Sequence, residues 1–347
     1  MMRLFSVGKP LAKEPGIRYN EAAYRKERRR LYMRNPSEAF MKALNKHFSS
    51  MSVDEVDNDA LQDFMAKYNQ ELDMRGLLTE KTAQTADDYL ELAENAPSKT
   101  KAIKYLKKAC ELDAENIDAE LQLIDLTAKN DTEYLQRIEE LLAKAKKQLE
   151  KEGYFEDDSI GEFWLMTETR PFMRVYSTYM DELMRGGKLR LAIEVGMDML
   201  RLCENDNLGK RYDLMNCYAA LEDEEAALAL QNRYPEEKSA MFLLPLAVLF
   251  YRLGKEAQAR QYLKELMEVN ADTKKFFAAV LSGRPPKIER SPYGYRPGTV
   301  EEFEECVNLR PKTYGDCAGY WMWGQEQIKA LGKTAKSKTK AASRRKK

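Results

Sequence analysis

The chain has 347 residues, 44% of them hydrophobic and 33% charged, which is long enough for two ordinary domains or one elongated array and more charged than the usual folded protein. Its formal charge of zero hides a segregation: residues 1–50 carry 12 Lys/Arg against 4 Glu, residues 328–347 carry 9 against none, and the acidic middle carries 36 against 53. No apolar run approaches the roughly 20 residues of a membrane helix, Met1 to Ser6 lacks a signal-peptide core, and five unevenly spread cysteines suit reduced thiols in a cytoplasmic protein better than a disulfide framework.

Taken in order, residues 1–50 form a basic, partly ordered arm in which Arg25, Lys26, Arg28, Arg29 and Arg30 alternate with Tyr19, Tyr24 and Tyr32. Such a stretch could bind phosphates and stack on bases; its plainer reading is a solvated arm lying on the acidic body. His47, the only histidine, reads as a surface residue. Residues 51–153 are a helical region. Ser52 to Glu55 has capping-box form, and Leu61, Phe64, Met65, Tyr68 and Leu72 follow at helical spacing. Asp54, Asp57, Asp59 and Asp63 lack the glycine and terminal glutamate of a calcium loop.

A second capping box at Thr85 to Asp88 opens a helical hairpin that turns at Asn95 to Ser98 and returns through Ala102, Leu106 and Ala109. Ile117 to Asn130 and Asp131 to Gly153 supply another. Gly153 to Gly161 is the predicted linker.

From residue 160 to 331 the spacing predicts an array with capping helices at its end. Alanines at 192, 226 or 227, and 259 recur at about one hairpin length. Arg170-Pro171 opens its first helix. Glycine pairs with the turn at Gly186-Gly187 and Gly254, whereas the middle hairpin turns at Glu222-Asp223. Phe276 to Leu281, Thr299 to Val307 (capped by Glu302) and Tyr314 to Leu331 give further helices, the last with Tyr320, Trp321 and Trp323 closing the exposed end of the stack. Residues 332–347 are predicted to be a disordered basic tail.

Gly187 and Gly254, each five residues before Ala192 and Ala259, with Leu202 and Val269 ten residues after, resemble the tetratricopeptide repeat. Ala102, Ala109, Leu112 and Asn116 look like a further copy. The segments Glu168 to Arg174, Asn205 to Arg211 and Leu244 to Gly254 are similar to a bacterial module related to the suppressor-of-tumorigenicity-seven family. The resemblance covers residues 160–330. It implies an all-α, right-handed superhelix of stacked antiparallel helix pairs, whose first helices line a concave groove for peptides. By repeat position it places Arg174, Asp181, Arg185, Asn216, Tyr251 and Arg252 at that groove, where an arginine could grip a carboxylate in bidentate fashion. The plain alternative is that each is an ordinary solvated or ion-paired residue.

No zinc pair, second histidine, phosphate-cradling glycine loop or nucleophile elbow is present, so the chain reads as a non-enzyme with no cofactor or metal. The expected function is a scaffold holding a peptide or partner protein in the groove. The alternative is a nucleic-acid-associated protein whose Arg28, Arg29, Arg30, Arg344 and Arg345 bind DNA or RNA while the repeats recruit a partner. A third reading lays the basic tail of one copy on the acidic middle of another.

Overall fold

The computed structural model describes residues 36–48, 51, 58–75, 78–283, 295–308, 311–315 and 317–344. Among these it is all-α: one isolated bridge, Glu162 to Cys203, is the nearest approach to a sheet. The helices are α1 (Pro36–Phe48), α2 (Asn58–Arg75), α3 (Ala86–Glu94), α4 (Lys99–Leu112), α5 (Ile117–Thr127), α6 (Asp131–Lys151), α7 (Arg170–Arg185) and α8 (Leu189–Leu202). They continue as α9 (Lys210–Leu221), α10 (Glu224–Arg233), α11 (Ala240–Arg252), α12 (Glu256–Val269), α13 (Thr273–Ser282), α14 (Val300–Asn308), the single turn α15 (Pro311–Tyr314) and α16 (Ala318–Arg344). The chain divides into two compact units: residues 25–182 with 198–208, and residues 183–197 with 209–347, the described arm of the second beginning at 183. The boundary therefore runs through α7 and α8 rather than through the linker at 153–161.

In the first unit, α3 and α4 form the hairpin that the sequence predicts. The Thr85 hydroxyl accepts the Asp88 amide at 3.1 Å while the Asp88 carboxylate accepts the Thr85 amide at 2.9 Å, so two otherwise free amides are satisfied. Leu90, Leu106 and Ala109 are fully buried between the two helices, and small Ala109 lets the backbones approach. Asn116 and Asn130 cap α5 and α6 by accepting the amides of Ala119 and Glu133. α1 and α2 meet through rings: Phe40 lies 5.2 Å from Tyr68, and His47 lies 5.1 Å from Phe64. His47 is thus half-buried in an aromatic cluster and not a plain surface residue, because its imidazole packs where the α1 and α2 faces meet. The Ser52 capping box lies outside the described residues.

The second unit is built on α11, whose residues Ala240 to Phe250 are all buried. α12, α10 and α9 pack on it, and so do α14 and α16. Gly254 ends α11 at φ +71°. Glu222, where the repeat would carry glycine, takes the same left-handed conformation at φ +59° and is exposed at the end of α9. Phe276 stacks on Phe303 at 4.5 Å, and Phe277 meets Trp321 at 5.0 Å. The sequence explains Glu302 as a helix-start carboxylate. The structure gives it a longer reach: buried at 2% exposure, it accepts the amides of Ala240 (2.8 Å) and Gly298 (2.8 Å) and the Asn270 side-chain amide (2.9 Å), and so caps α11 from 62 residues away.

α16 corrects the expectation for residues 332–347. Its backbone stays helical to Arg344. Lysine, alanine and arginine are good helix formers, and no proline interrupts them, so the helix propagates past its last buried residue, Ile328.

Candidate functional site

The six residues expected at a groove fall in different surroundings, and two of them are not surface residues at all. Arg174 is 4% exposed. Its guanidinium makes two forks: Nε and Nη2 donate to Asp118 at 2.8 and 2.6 Å, and Nη1 and Nη2 donate to Glu38 at 3.1 and 2.9 Å. All three side chains are 3% exposed. Burial works against the charge, but the Asp118 and Glu38 carboxylates outweigh it and raise the guanidinium pKa further above its already high value. The bidentate carboxylate grip expected of Arg174 is therefore present. The carboxylates belong to this chain, one on α5 and one in the first turn of α1, which is why Arg174 does not stand open in a groove. Asp181 is half-buried on α7.

In the second unit, Asn216 is 0% exposed, a second correction to the groove expectation. Its backbone carbonyl accepts the Thr313 hydroxyl at 3.0 Å, and its side-chain amide donates to the Tyr212 carbonyl at 2.8 Å. Arg252 donates from Nη2 to the Thr313 carbonyl at 2.9 Å and the Cys317 sulfur at 3.0 Å, and from Nη1 to the Ala219 carbonyl at 3.3 Å. Tyr251 packs on Trp323 at 5.2 Å and on Tyr320 at 5.6 Å. Its hydroxyl lies 2.9 Å from where a Cβ would stand on Gly319, so any larger residue there would have to push the Tyr251 ring aside. The three predicted groove residues of α9 and α11 thus do converge, on the α15 to α16 segment of the same chain. The aromatic surface of α16 was expected to close an end of the stack. It covers the face that α9 and α11 were expected to leave open, because Tyr314, Tyr320 and Trp321 need full burial and α11 is apolar all round. Arg185 is half-buried on α7.

A concave site lies instead in the first unit. It is a cleft of about 340 Å³ lined by the starts of α3, α5 and α7, the turn before α5 and the last turns of α6. Six carboxylates line it, Asp87, Asp113, Glu115, Asp118, Glu152 and Glu168, and no lysine or arginine does. Leu149 and Phe172 add apolar wall. The local sequence accounts for this gathering. Asp87 and Asp118 sit in first helical turns, where the helix dipole favours them. Asp113 accepts the Glu115 amide in the turn between hairpins at 2.9 Å. Asn116, the cap of α5, donates to Asp87 at 3.4 Å, and Glu168 accepts weakly from Asn45 at 3.4 Å. Asp118 is spent on Arg174, but Asp87, Asp113, Glu115, Glu152 and Glu168 remain exposed. The Gln148 Oε1 on the cleft wall is buried and accepts no hydrogen bond. The cleft is lined mainly by acceptors and by no lysine or arginine, and so suits ammonium and guanidinium groups. Sequence reading missed it because its residues come from four separated stretches, although each acidic helix start was visible.

Among the described residues no three His, Cys, Asp or Glu side chains gather in a way that could hold a metal ion, and no described helix is long and apolar enough to cross a membrane. None of the five cysteines is in a disulfide, and four are buried. The arginines of the nucleic-acid reading, Arg28, Arg29, Arg30 and Arg345, lie outside the described residues, as does the side chain of Arg344.

No protein-family model and no curated protein sequence matches the chain. Among solved structures, a mutant form of MamA aligns with 53% of this chain and 94% of its own, at 18% identity and a TM-score of 0.35. That is a likeness of helical arrangement alone, and function has to be read from the residues of this chain.

Proposed function

We propose that the chain is a non-catalytic protein-interaction scaffold that holds a lysine- or arginine-bearing segment of a partner protein in the cleft of its first unit. The observation that supports this reading is the concave wall of six carboxylates without a cation among its lining residues. Its volume suits two or three long basic side chains, whose alkyl stems would lie along Leu149 and Phe172 while their heads meet the carboxylates. The same field repels phosphate, which speaks for a protein partner over nucleic acid at this site. The resemblance to tetratricopeptide repeats, and to the suppressor-of-tumorigenicity-seven module, points to the same class of scaffold, but places the groove on other residues.

The test is fluorescence anisotropy of a labelled peptide of lysine, arginine and serine against the full chain, with an equally long glutamate peptide and a DNA duplex as controls. The basic peptide binds, more weakly as salt rises, and the Glu152→Gln/Glu168→Gln double variant weakens it by about 2- to 30-fold, the sum of two exposed charge pairs. Binding indifferent to the double variant, or stronger binding of the duplex than of the peptide, contradicts the reading.

A further inference from the structure

The C-terminal end of the chain carries the charge that the acidic cleft lacks. α16 is one unbroken helix from Ala318 to Arg344, anchored in the second unit by the fully buried Tyr320, Trp321 and Ile328. Residues 328–347 hold nine Lys/Arg and no Asp or Glu, and no bulky apolar residue follows Leu331, so this end of the helix has nothing with which to build a core of its own. Its cations follow a pattern. Lys329, Lys333, Lys336, Lys340 and Arg344 succeed one another at intervals of four, three, four and four. On a helix of 3.6 residues per turn that spacing keeps them within about 80° of arc and along about 22 Å of axis. From 332 to 344 the other positions are Ala, Gly, Ser and Thr, with Lys338. A basic stripe with no apolar face behind it suits an acidic surface and not the apolar boundary of a lipid layer.

We propose that this stripe docks in the acidic cleft of a second copy of the chain, so that the protein assembles head to tail with itself. The inference rests on the basic-segment reading of the cleft and names the segment. The charges match: Asp87, Asp113, Glu115, Glu152 and Glu168 are exposed on a wall without lysine or arginine, Gln148 Oε1 on that wall is a buried acceptor that accepts no hydrogen bond, and lysine and arginine heads are donors only. The sizes match as well. The cleft of about 340 Å³ takes two or three long side chains, and three successive stripe residues, Lys333, Lys336 and Lys340, occupy about 10 Å of helix. Their stems would lie along Leu149 and Phe172. A second copy can bring its cleft to α16 in any orientation, without any bend in the helix. Each chain carries one cleft and one stripe on different units, so the contact is heterologous and either closes into a pair or ring or continues as an open chain. The zero net charge of the whole chain sets no long-range repulsion against it.

Light scattering of the full chain gives a molar mass that rises with concentration and falls to that of the monomer as salt is added. The variants are compared at about 0.15 M salt, where charges more than about 8 Å from a contact are largely screened. Lys333→Gln/Lys336→Gln/Lys340→Gln raises the dissociation constant by about 3- to 150-fold, the sum of three exposed charge pairs. Lys338→Gln/Arg345→Gln/Lys346→Gln removes as many charges away from the stripe and leaves most of the self-association in place. The stripe variant keeps its cleft, and Glu152→Gln/Glu168→Gln keeps its stripe; each alone assembles weakly, and an equimolar mixture of the two forms pairs that neither forms alone. A monomer at every concentration and salt, an equal loss in the two triple variants, or a mixture no heavier than its components overturns the proposal. The cleft reading survives those failures if the peptide of lysine, arginine and serine still binds through Glu152 and Glu168; failure of that peptide as well removes both.

Discussion

Arg174→Met separates a buried ion cluster from an ordinary surface arginine most sharply. Methionine keeps the length of the side chain and removes its charge and all four donated hydrogen bonds. Two carboxylates would then face one another at 3% exposure with no counter-charge. Breaking a buried pair from one side costs about 3–5 kcal/mol, and for a unit of this size each kcal/mol moves the melting temperature by about 2–4 °C, so a fall of roughly 6–20 °C is expected at neutral pH. Thermal unfolding followed by circular dichroism measures it. The triple variant Arg174→Met/Glu38→Gln/Asp118→Asn removes the stranded charges and should recover a large part of the loss, and that non-additivity is the mark of a coupled cluster. A fall within the ±0.5 kcal/mol typical of surface substitutions, or a triple variant no more stable than the single one, would refute the reasoning.

Glu302→Ala strands the Ala240 and Gly298 amides and the Asn270 side chain inside the second unit; at about 1–3 kcal/mol for each unsatisfied buried group, it should destabilise that unit by several kcal/mol in urea titration, far more than loss of a local helix-start charge. Glu222→Gly places glycine at φ +59° and should raise stability by up to about 1 kcal/mol in the same assay, relief of left-handed strain outweighing the extra freedom of the unfolded chain. Glu237 provides the pH-dependent case. Burial pushes its carboxyl up, but hydrogen bonds from Ser239 and Tyr212 and the Arg211 charge prevail and hold it below the usual carboxylate range. A depressed folded pKa contributes stability above the unfolded value of about 4.3 and loses it as pH falls through the folded value. The melting-temperature gap between wild type and Glu237→Gln should therefore be full at pH 6 and close as the solution is acidified below the ordinary carboxylate pKa.

The helices of the array were legible in the sequence because their signals are local. Apolar residues three and four apart, the Thr85 capping box and the glycine at 254 each specify structure within a few residues. Glu222 shows the strength of such a signal, since the hairpin keeps its left-handed turn even without the glycine. What was not legible is what lies across each helix. Arg174 announced a carboxylate partner, but Glu38 is 136 residues away and is an unremarked glutamate in a basic arm. Asn216 and Arg252 announced a polar contact on an inner face, yet only the packing of Tyr314, Tyr320 and Trp321 decides that the chain itself fills that face. The cleft was hidden for the same reason: helix starts at 86, 117 and 170 each carry an acidic residue nearby for reasons of their own dipole, and their sum appears only when the hairpins stack.

The most direct measurement for the interaction-scaffold reading is hydrogen exchange of the full chain with and without a saturating lysine- and arginine-rich peptide. The reading predicts slower exchange in 113–118, 148–152 and 168–172, and no change in 240–252 or 311–323. Protection of α11 and the α15 to α16 segment instead, or no protection anywhere at saturation, would contradict it.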